Sequence, residues 1–302
     1  MTFRLTVLGT CSALPTVSKH QTAHVLNVRE QFYLLDAGEG VQKGLKKCDV
    51  NMMKLNHIFI SHLHGDHVFG LFGLLSTMSM LKRERALEIY APAPIREILE
   101  FHCRMFERGK QYPIIIHELQ TKNPELVYEN SVMTVHTIPL KHTLDSVGYL
   151  FREKEPARNI LPYTIQKYGL SLAEIATAKR GEDIRRETGE VIENSVVTYR
   201  PFVPRAFAYC LDTGYTPKFT EQIRGVNLLM IDSTFLASDK SIAGKRGHCT
   251  AEQAATIAKD AEVGKLLLTH FSTRYNTLYA KGEDPFLLEA RPIFENSEVA
   301  KE

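Results

Sequence analysis

Strand-like and helix-like segments interleave along this chain, which predicts an α/β or α+β fold. Three observations carry that reading. Short β-rich apolar runs recur between Gly or polar turns. Segments with helical apolar spacing separate them, as at Ile95, Ile98, Leu99 and His102. Thr250 and Gln253 stand at capping-box spacing ahead of a further helix pattern. No internal repeat or low-complexity tract breaks the series, so residues 1–302 read as one domain.

In order, FRLTVLG, HVLNVRE and FYLLDAG read as strands, and EGVQKGLKKC as a short helix. LNHIFISH is a strand, 66–82 a helix, LEIYAP a strand and 94–106 a helix. Strands follow near 114–117 and 132–138, then SVGYLF at 146–151. Residues 152–186 differ: two short helical patterns lie among many charges, as in an inserted, exposed arm. RAFAYCLD and NLLMID are strands, 251–261 is a helix, and KLLLTH is a strand.

Apolar residues make up 44% of the 302, enough for a sizeable core, and charged residues 24%. The net charge of +2 says little about partners, so any anionic ligand has to be met by local patches. Five scattered cysteines without a C-x-x-C pair argue against a disulfide framework. The first ten residues are too polar for a signal peptide. Val68–Leu81, interrupted by Ser76, Thr77 and Ser79, is a buried helix rather than a membrane span. The expectation is a cytoplasmic protein without a membrane partner.

FISHLHGDHVFG, residues 59–70, holds His62, His64, Asp66 and His67 directly after an apolar strand. Alternation in an extended chain would put His62, His64 and Asp66 on one face and turn His67 away. Such a set suits two adjacent metal ions, because neutral imidazole and carboxylate are ligands of Zn²⁺. Further ligands are sought at strand ends, where His142, Asp212 and His270 stand. Taken singly, each reads equally well as structure, and Asp212 as a turn former. Together they complete the set that the loop demands.

HLHGDH at 62–67 and DAGEGVQ at 36–42 resemble the metallo-β-lactamase superfamily. LGTCSALP at 8–15, His142 before Gly148-Tyr149, DTG at 212–214, GHCTAEQAA at 247–255 and THFSTRY at 269–275 narrow the resemblance. The array is similar to the ribonuclease Z family, endonucleases that remove 3′ trailers from precursor tRNA, and it spans about residue 3 to residue 275. The resemblance implies a four-layer αββα sandwich with a protruding tRNA-binding arm. It implies two Zn²⁺ per subunit, with Mn²⁺ or Fe²⁺ as alternatives. His62, His64, His142 and Asp212 would hold one ion, and Asp66, His67, Asp212 and His270 the other. Asp66 would orient or deprotonate the water, and His248 would serve the leaving 3′-oxygen. A homodimer and a precursor-tRNA partner are also implied.

Two departures from the family pattern stand out. The family carries His-Glu where this chain has Ile231-Asp232, so Asp232 becomes the candidate partner of His248. The arm tip has Ala173-Glu174 where the family commonly has Gly-Pro. Lys179, Arg180, Arg185 and Arg186 of the arm are candidates for RNA phosphates, although a charge run is more often a solvated face. Ser272 and Arg274 follow His270, and Arg274 could contact a phosphate. Asp36 and Glu39 read as supports behind the ligands. Two rival readings are a metal-dependent phosphodiesterase for a small substrate and an inactive RNA-binding scaffold.

Overall fold

A computed structural model describes residues 2–302 except Pro15, Ser18, 107–111 and 276–283. Among the described residues, β1 (Phe3–Gly9), β2 (Ala23–Val28), β3 (Gln31–Leu35), β4 (Leu55–Phe59), β5 (Leu87–Pro92) and β6 (Ile114–Leu119) pair in sequence order into one sheet. The first three strands are antiparallel, and β3 to β6 run parallel. The period-two alternation sorts the faces. Leu34 and Ile58 enter a buried cluster with Leu45 of α1 (Val41–Lys47), Leu71 and Leu75 of α2 (Gly65–Met80) and Leu99 of α3 (Ile95–Phe106). Tyr33, the residue before Leu34, and Phe59, the residue after Ile58, join the aromatic layer of the opposite face.

The second sheet opens with β7 (Leu126–Glu129), β8 (Met133–Pro139) and β9 (Val147–Glu153). Residues 152–205, with 130–133, then form a compact unit of their own. In it β10 (Asn159–Ile160) is followed by α4 (Pro162–Tyr168), α5 (Leu172–Lys179), the pair β11 (Ile184–Arg185) and β12 (Val191–Ile192), α6 (Asn194–Val197) and β13 (Thr198–Tyr199). β13 returns to pair with β10, and Leu170, Ala178, Ile184, Ile192 and Val197 make a small core. The unit thus runs on beyond Arg186. Its base is clasped by Arg205, whose Nε donates to Glu153 Oε2 at 2.7 Å.

β14 (Ala206–Cys210), β15 (Leu228–Asp232), β16 (Leu266–Thr269) and β17 (Ser297–Val299) follow as a parallel set. The sheet order is β17-β16-β15-β14-β9-β8-β7. α7 (Lys240–Arg246), α8 (Ala251–Asp260) and α9 (Pro285–Ala290) cover its outer face, where Ala254, Ala258 and Phe286 meet Ile231 and Leu268. Between the sheets lies an aromatic layer. Phe59 is 5.1 Å from Tyr149 and 5.3 Å from Phe151, and Tyr33 is 5.8 Å from Tyr128. The buried Tyr149 hydroxyl donates to Ile60 O at 2.6 Å, so the layer stays dry without an orphaned phenol. Two sheets face to face with helices outside give the αββα sandwich.

Candidate metal centre and active site

The site forms where parallel strands end, the usual place for ligands in open α/β sheets. β3 leads to Asp36, β4 to Ser61 and His62, β14 to Asp212, β15 to Asp232 and β16 to His270. Asp36, Asp212 and His270 all have positive φ, at 55°, 53° and 66°. For non-glycine residues this region costs roughly 1–2 kcal/mol each. Such strain persists only where the surroundings over-determine it.

The HLHGDH loop departs from the alternation expected of it. α2 begins at Gly65, so only His62 and His64 lie on extended backbone, and Asp66 and His67 occupy the first helical turn. That turn is pinned by the DAGEG loop. Ala37 N donates to His67 O at 2.7 Å, and Gly70 N to Ala37 O at 2.8 Å. A Cβ on Gly70 would stand 2.0 Å from Gly38 O, so the approach requires glycine there.

Two groups of ligand atoms result, with Asp212 shared between them. His62, His64, His142 and Asp212 form one group, and Asp66, His67 and His270 another. Asp212 Oδ2 is 3.4 Å from His62 Nε2 and 3.6 Å from His142 Nε2. His142 Nε2 is 3.3 Å from His64 Nδ1. Asp212 Oδ1 lies 3.1 Å from both His67 Nε2 and His270 Nε2. Asp66 Oδ2 is 3.6 Å from His67 Nε2 and 3.5 Å from His270 Nε2. Tetrahedral bonds of about 2.0–2.2 Å place ligand atoms roughly 3.3–3.6 Å apart. Among the described residues, the buried Asp212 Oδ1 accepts no hydrogen bond despite its two neighbours. An orphaned carboxylate oxygen among imidazole nitrogens fits a divalent cation.

The far nitrogens of the rings are already engaged. His62 Nδ1 meets Ser61 Oγ at 3.1 Å, His67 Nδ1 meets Asp36 Oδ2 at 2.8 Å, His142 Nδ1 meets Gly247 O at 2.9 Å, and His270 Nδ1 meets Thr234 Oγ1 at 2.8 Å. Asp36 is held in turn by Ser61 N at 2.7 Å and the Tyr209 hydroxyl at 2.6 Å. These contacts aim each Nε2 at the cluster, as outer partners of metal ligands do. Burial lowers the His62 and His142 pKa values and keeps those rings neutral. For His67, burial is outweighed by the Asp212, Asp36 and Asp66 carboxylates, which raise it.

His248 lies beside both groups, its ring centroid 5.1 Å from that of His142 and 5.4 Å from that of His270. Its Nδ1 meets Asp232 Oδ2 at 2.6 Å. Burial lowers its pKa, but the charge and hydrogen bond of Asp232 prevail and lift it to about 9. A third possible grouping, Asp212, Asp232, His248 and His270, is less fitted to a cation. Asp232 is occupied by Thr213 N, Thr234 N, Thr234 Oγ1 and Cys249 N besides His248.

The outlying candidates fare differently. Arg274 stacks 4.9 Å over Phe235 and lies 3.4 Å from Asp239, and Ser272 N donates to Thr234 O. Arg180 pairs with Glu182 at 2.9 Å. Arg186 is bound by Glu174, Glu190 and Tyr168 O, so it serves the unit's own fold instead of waiting for a phosphate. Lys179 and Arg185 form no ion pair among the described residues. Pro15, the end of LGTCSALP, lies outside the described residues.

Sequence reasoning missed the support of Asp66. Ala13 N donates to Asp66 Oδ2 at 2.8 Å. The loop carrying Ala13 is held by Glu302, whose carboxylate accepts from Thr10 N, His20 N and His20 Nδ1. No motif links residues 292 apart. Buried His24, with neither ring nitrogen hydrogen-bonded, was also illegible as a neighbour of the site; burial pushes its pKa down to about 3.

Comparison with known proteins follows the same outline. Residues 3–151 match the family model described as Anti-Pycsar protein Apyc1, and residues 175–271 match the beta-lactamase superfamily domain. Over 99% of its length the chain is 41% identical to ribonuclease Z of Bacteroides fragilis, covering 97% of that protein. Among solved structures it is similar to the short form of human tRNase Z, with a TM-score of 0.68 at 25% identity over 89% of this chain and 93% of that one. It also shares the fold of YhfI from Bacillus subtilis, with a TM-score of 0.67 at 20% identity over 99% and 96% of the two chains.

Proposed function

Because the chain belongs to the ribonuclease Z family of the metallo-β-lactamase superfamily, we propose that it removes the 3′ trailer of precursor tRNA. The cut falls after the discriminator nucleotide and leaves a 3′-hydroxyl on the tRNA. Family membership makes the chain a metal-dependent endoribonuclease. The observation that carries the mechanism is the division of Asp212, one oxygen turned to each ligand group.

His62, His64, His142 and Asp212 Oδ2 would hold one Zn²⁺, and Asp66, His67, His270 and Asp212 Oδ1 the other. The same donors accept Mn²⁺ or Fe²⁺. Bound there, two cations lower the pKa of water and offset the charge of a phosphodiester. Asp66, held by Ala13 N, orients the attacking water and takes its proton. His248 protonates the departing 3′-oxygen from Nε2, while Asp232 holds its Nδ1–H and keeps the ring cationic at neutral pH. The unit at 152–205 clamps the body of the tRNA, with Lys179 and Arg185 its unpaired cations and Arg180 a weaker contributor. Ser272 and Arg274 border the RNA near His270. A homodimer working in the cytoplasm completes the reading. Among the described residues no helix is long and apolar enough to cross a membrane.

The test is cleavage of a 3′-extended precursor tRNA by the purified protein, with the cut mapped to the nucleotide. One cut after the discriminator, lost on chelation and in Asp66→Ala, is the expected result. No cut, together with metal-dependent hydrolysis of bis-p-nitrophenyl phosphate, would replace this reading with a small-substrate phosphodiesterase.

A further inference from the structure

A cavity of about 700 Å³ opens beside the metal centre, with His142 in its wall. Its lining comes from the loops after β8 and β14 and from the segment ahead of β7. Three lysines line it, Lys122, Lys141 and Lys218, against one carboxylate, Asp145. None of the three forms an ion pair among the described residues. Other cations do pair with glutamates, as Arg180, Arg186 and Arg224 do, although among the described residues Lys179 and Arg185 do not. Pro139, Leu140 and Leu144 give the cavity an apolar wall, and Leu144 is 44% exposed. Ser146, also in the lining, keeps a buried hydroxyl with no hydrogen-bond partner among the described residues.

Resting on the ribonuclease Z reading, we propose that this cavity receives the first nucleotides of the single-stranded 3′ trailer, with Lys122 and Lys218 on its phosphates. The charge fits a polyanion, and the wall of the cavity includes His142, whose buried side chain belongs to one ligand group of the metal centre. Size chooses between the two flanks of the cut. The tRNA side is a duplex almost to the cleavage point, and an A-form helix with its two backbones does not enter a cavity of this volume. The trailer is a single strand that does. The side chains of Pro139, Leu140 and Leu144 offer no base-edge donors or acceptors, so contact with them is indifferent to base identity, and the lysines track only the backbone. On this proposal the cavity would accept trailers of unrelated sequence.

The test uses one precursor body with a trailer of one nucleotide or of about six. For the wild type, the longer trailer should have the lower KM, by about tenfold at low salt. In the Lys122→Gln/Lys218→Gln double variant that advantage should collapse towards unity. The slope of log KM against log salt for the long trailer should become shallower by about 1.4, two single-strand phosphate contacts at roughly 0.7 each. An equal rise in KM for both trailers would place the lysines on the tRNA body and overturn the proposal. So would an unchanged advantage or an unchanged slope. A wild type that cuts neither precursor while hydrolysing bis-p-nitrophenyl phosphate would remove the ribonuclease Z reading itself, a different failure from the loss of the cavity's role.

Discussion

Replacing Asp232 by Asn keeps the shape of the side chain and removes its charge. The carboxylate is fully buried and accepts from five donors. Oδ1 serves Thr234 N at 2.9 Å and Thr234 Oγ1 at 2.7 Å; Oδ2 serves His248 Nδ1 at 2.6 Å and Thr213 N at 3.2 Å. An amide has one acceptor, so its NH₂ must oppose either the Thr234 donors or the His248 donor. Turned to His248, it forces that ring to expose a bare Nδ1 and to lose its charge. Hydrogen bonds to charged groups contribute about 1.5–3 kcal/mol, which corresponds to a fall in kcat of about 10- to 150-fold. KM should change little, because the substrate does not touch Asp232. The opposed donors also destabilise the fold by about 1–3 kcal/mol, or roughly 2–5 °C in Tm for a chain of this size. The assay compares precursor tRNA with bis-p-nitrophenyl phosphate, whose nitrophenolate departs without needing a proton. The loss should be much larger on RNA, and Asp232→Glu should regain part of it. Equal losses on both substrates, or full turnover on RNA, would refute the proton-donor role of the pair.

Dialysis against a chelator should lower Tm by roughly 4 °C for each ion held at a hundred times its Kd, since one site filled at that level stabilises by about 2.7 kcal/mol; a scan unchanged by chelation would remove the metal centre. The hydrogen bond from Arg186, then those with Ser171, hold the Glu174 carboxyl down at about 2. Its contribution is therefore complete above the ordinary glutamate range and fades as pH falls towards 2. Hydrogen exchange in α5 should rise through that acid window, and in Glu174→Gln it should be raised at neutral pH as well. Glu302→Ala removes the acceptor of Thr10 N and His20 N. It should speed exchange at Cys11 and Ala13 and lower kcat by about two- to fivefold through Asp66, with KM held. Replacing 155–203 by a short Gly/Ser turn leaves the Glu153–Arg205 clasp in place. It should abolish tRNA cleavage and spare the small diester; parallel loss of both would make the unit structural.

The candidate ligand groups were legible because metal chemistry restricts residue type, and because strand ends are where loops converge. His142, Asp212 and His270 were findable on those grounds alone. The conformation of the first loop was not: alternation carried to Asp66 failed because the helix starts at Gly65, one residue before the start read from the sequence, and takes Asp66 and His67 into its first turn. Partnerships across long separations were hidden as well. Arg186 read as a free cation because Glu174, its partner, lies twelve residues back, where the family pattern led to Gly-Pro. Glu174 also closes the capping box of α5 with Ser171, so one departure from the pattern holds two parts of that unit together. The short elements β7, β17, α7 and α9 carry too few residues for periodicity to declare them.

The ligands are scattered from His62 to His270, across both sheets. A ribosome adding 5–20 residues each second needs roughly 10–40 s to cover that stretch. For the first 150 residues of that stretch the nascent chain displays His62, His64 and His67 without Asp212, the second carboxylate that joins the two halves, and for the rest without His270. A partial site binds cations weakly and cannot cut. Nuclease activity is thus withheld until β14 and β16 have emerged and paired with β15, and an emerging chain poses no hazard to the transfer RNAs that are delivering its own amino acids.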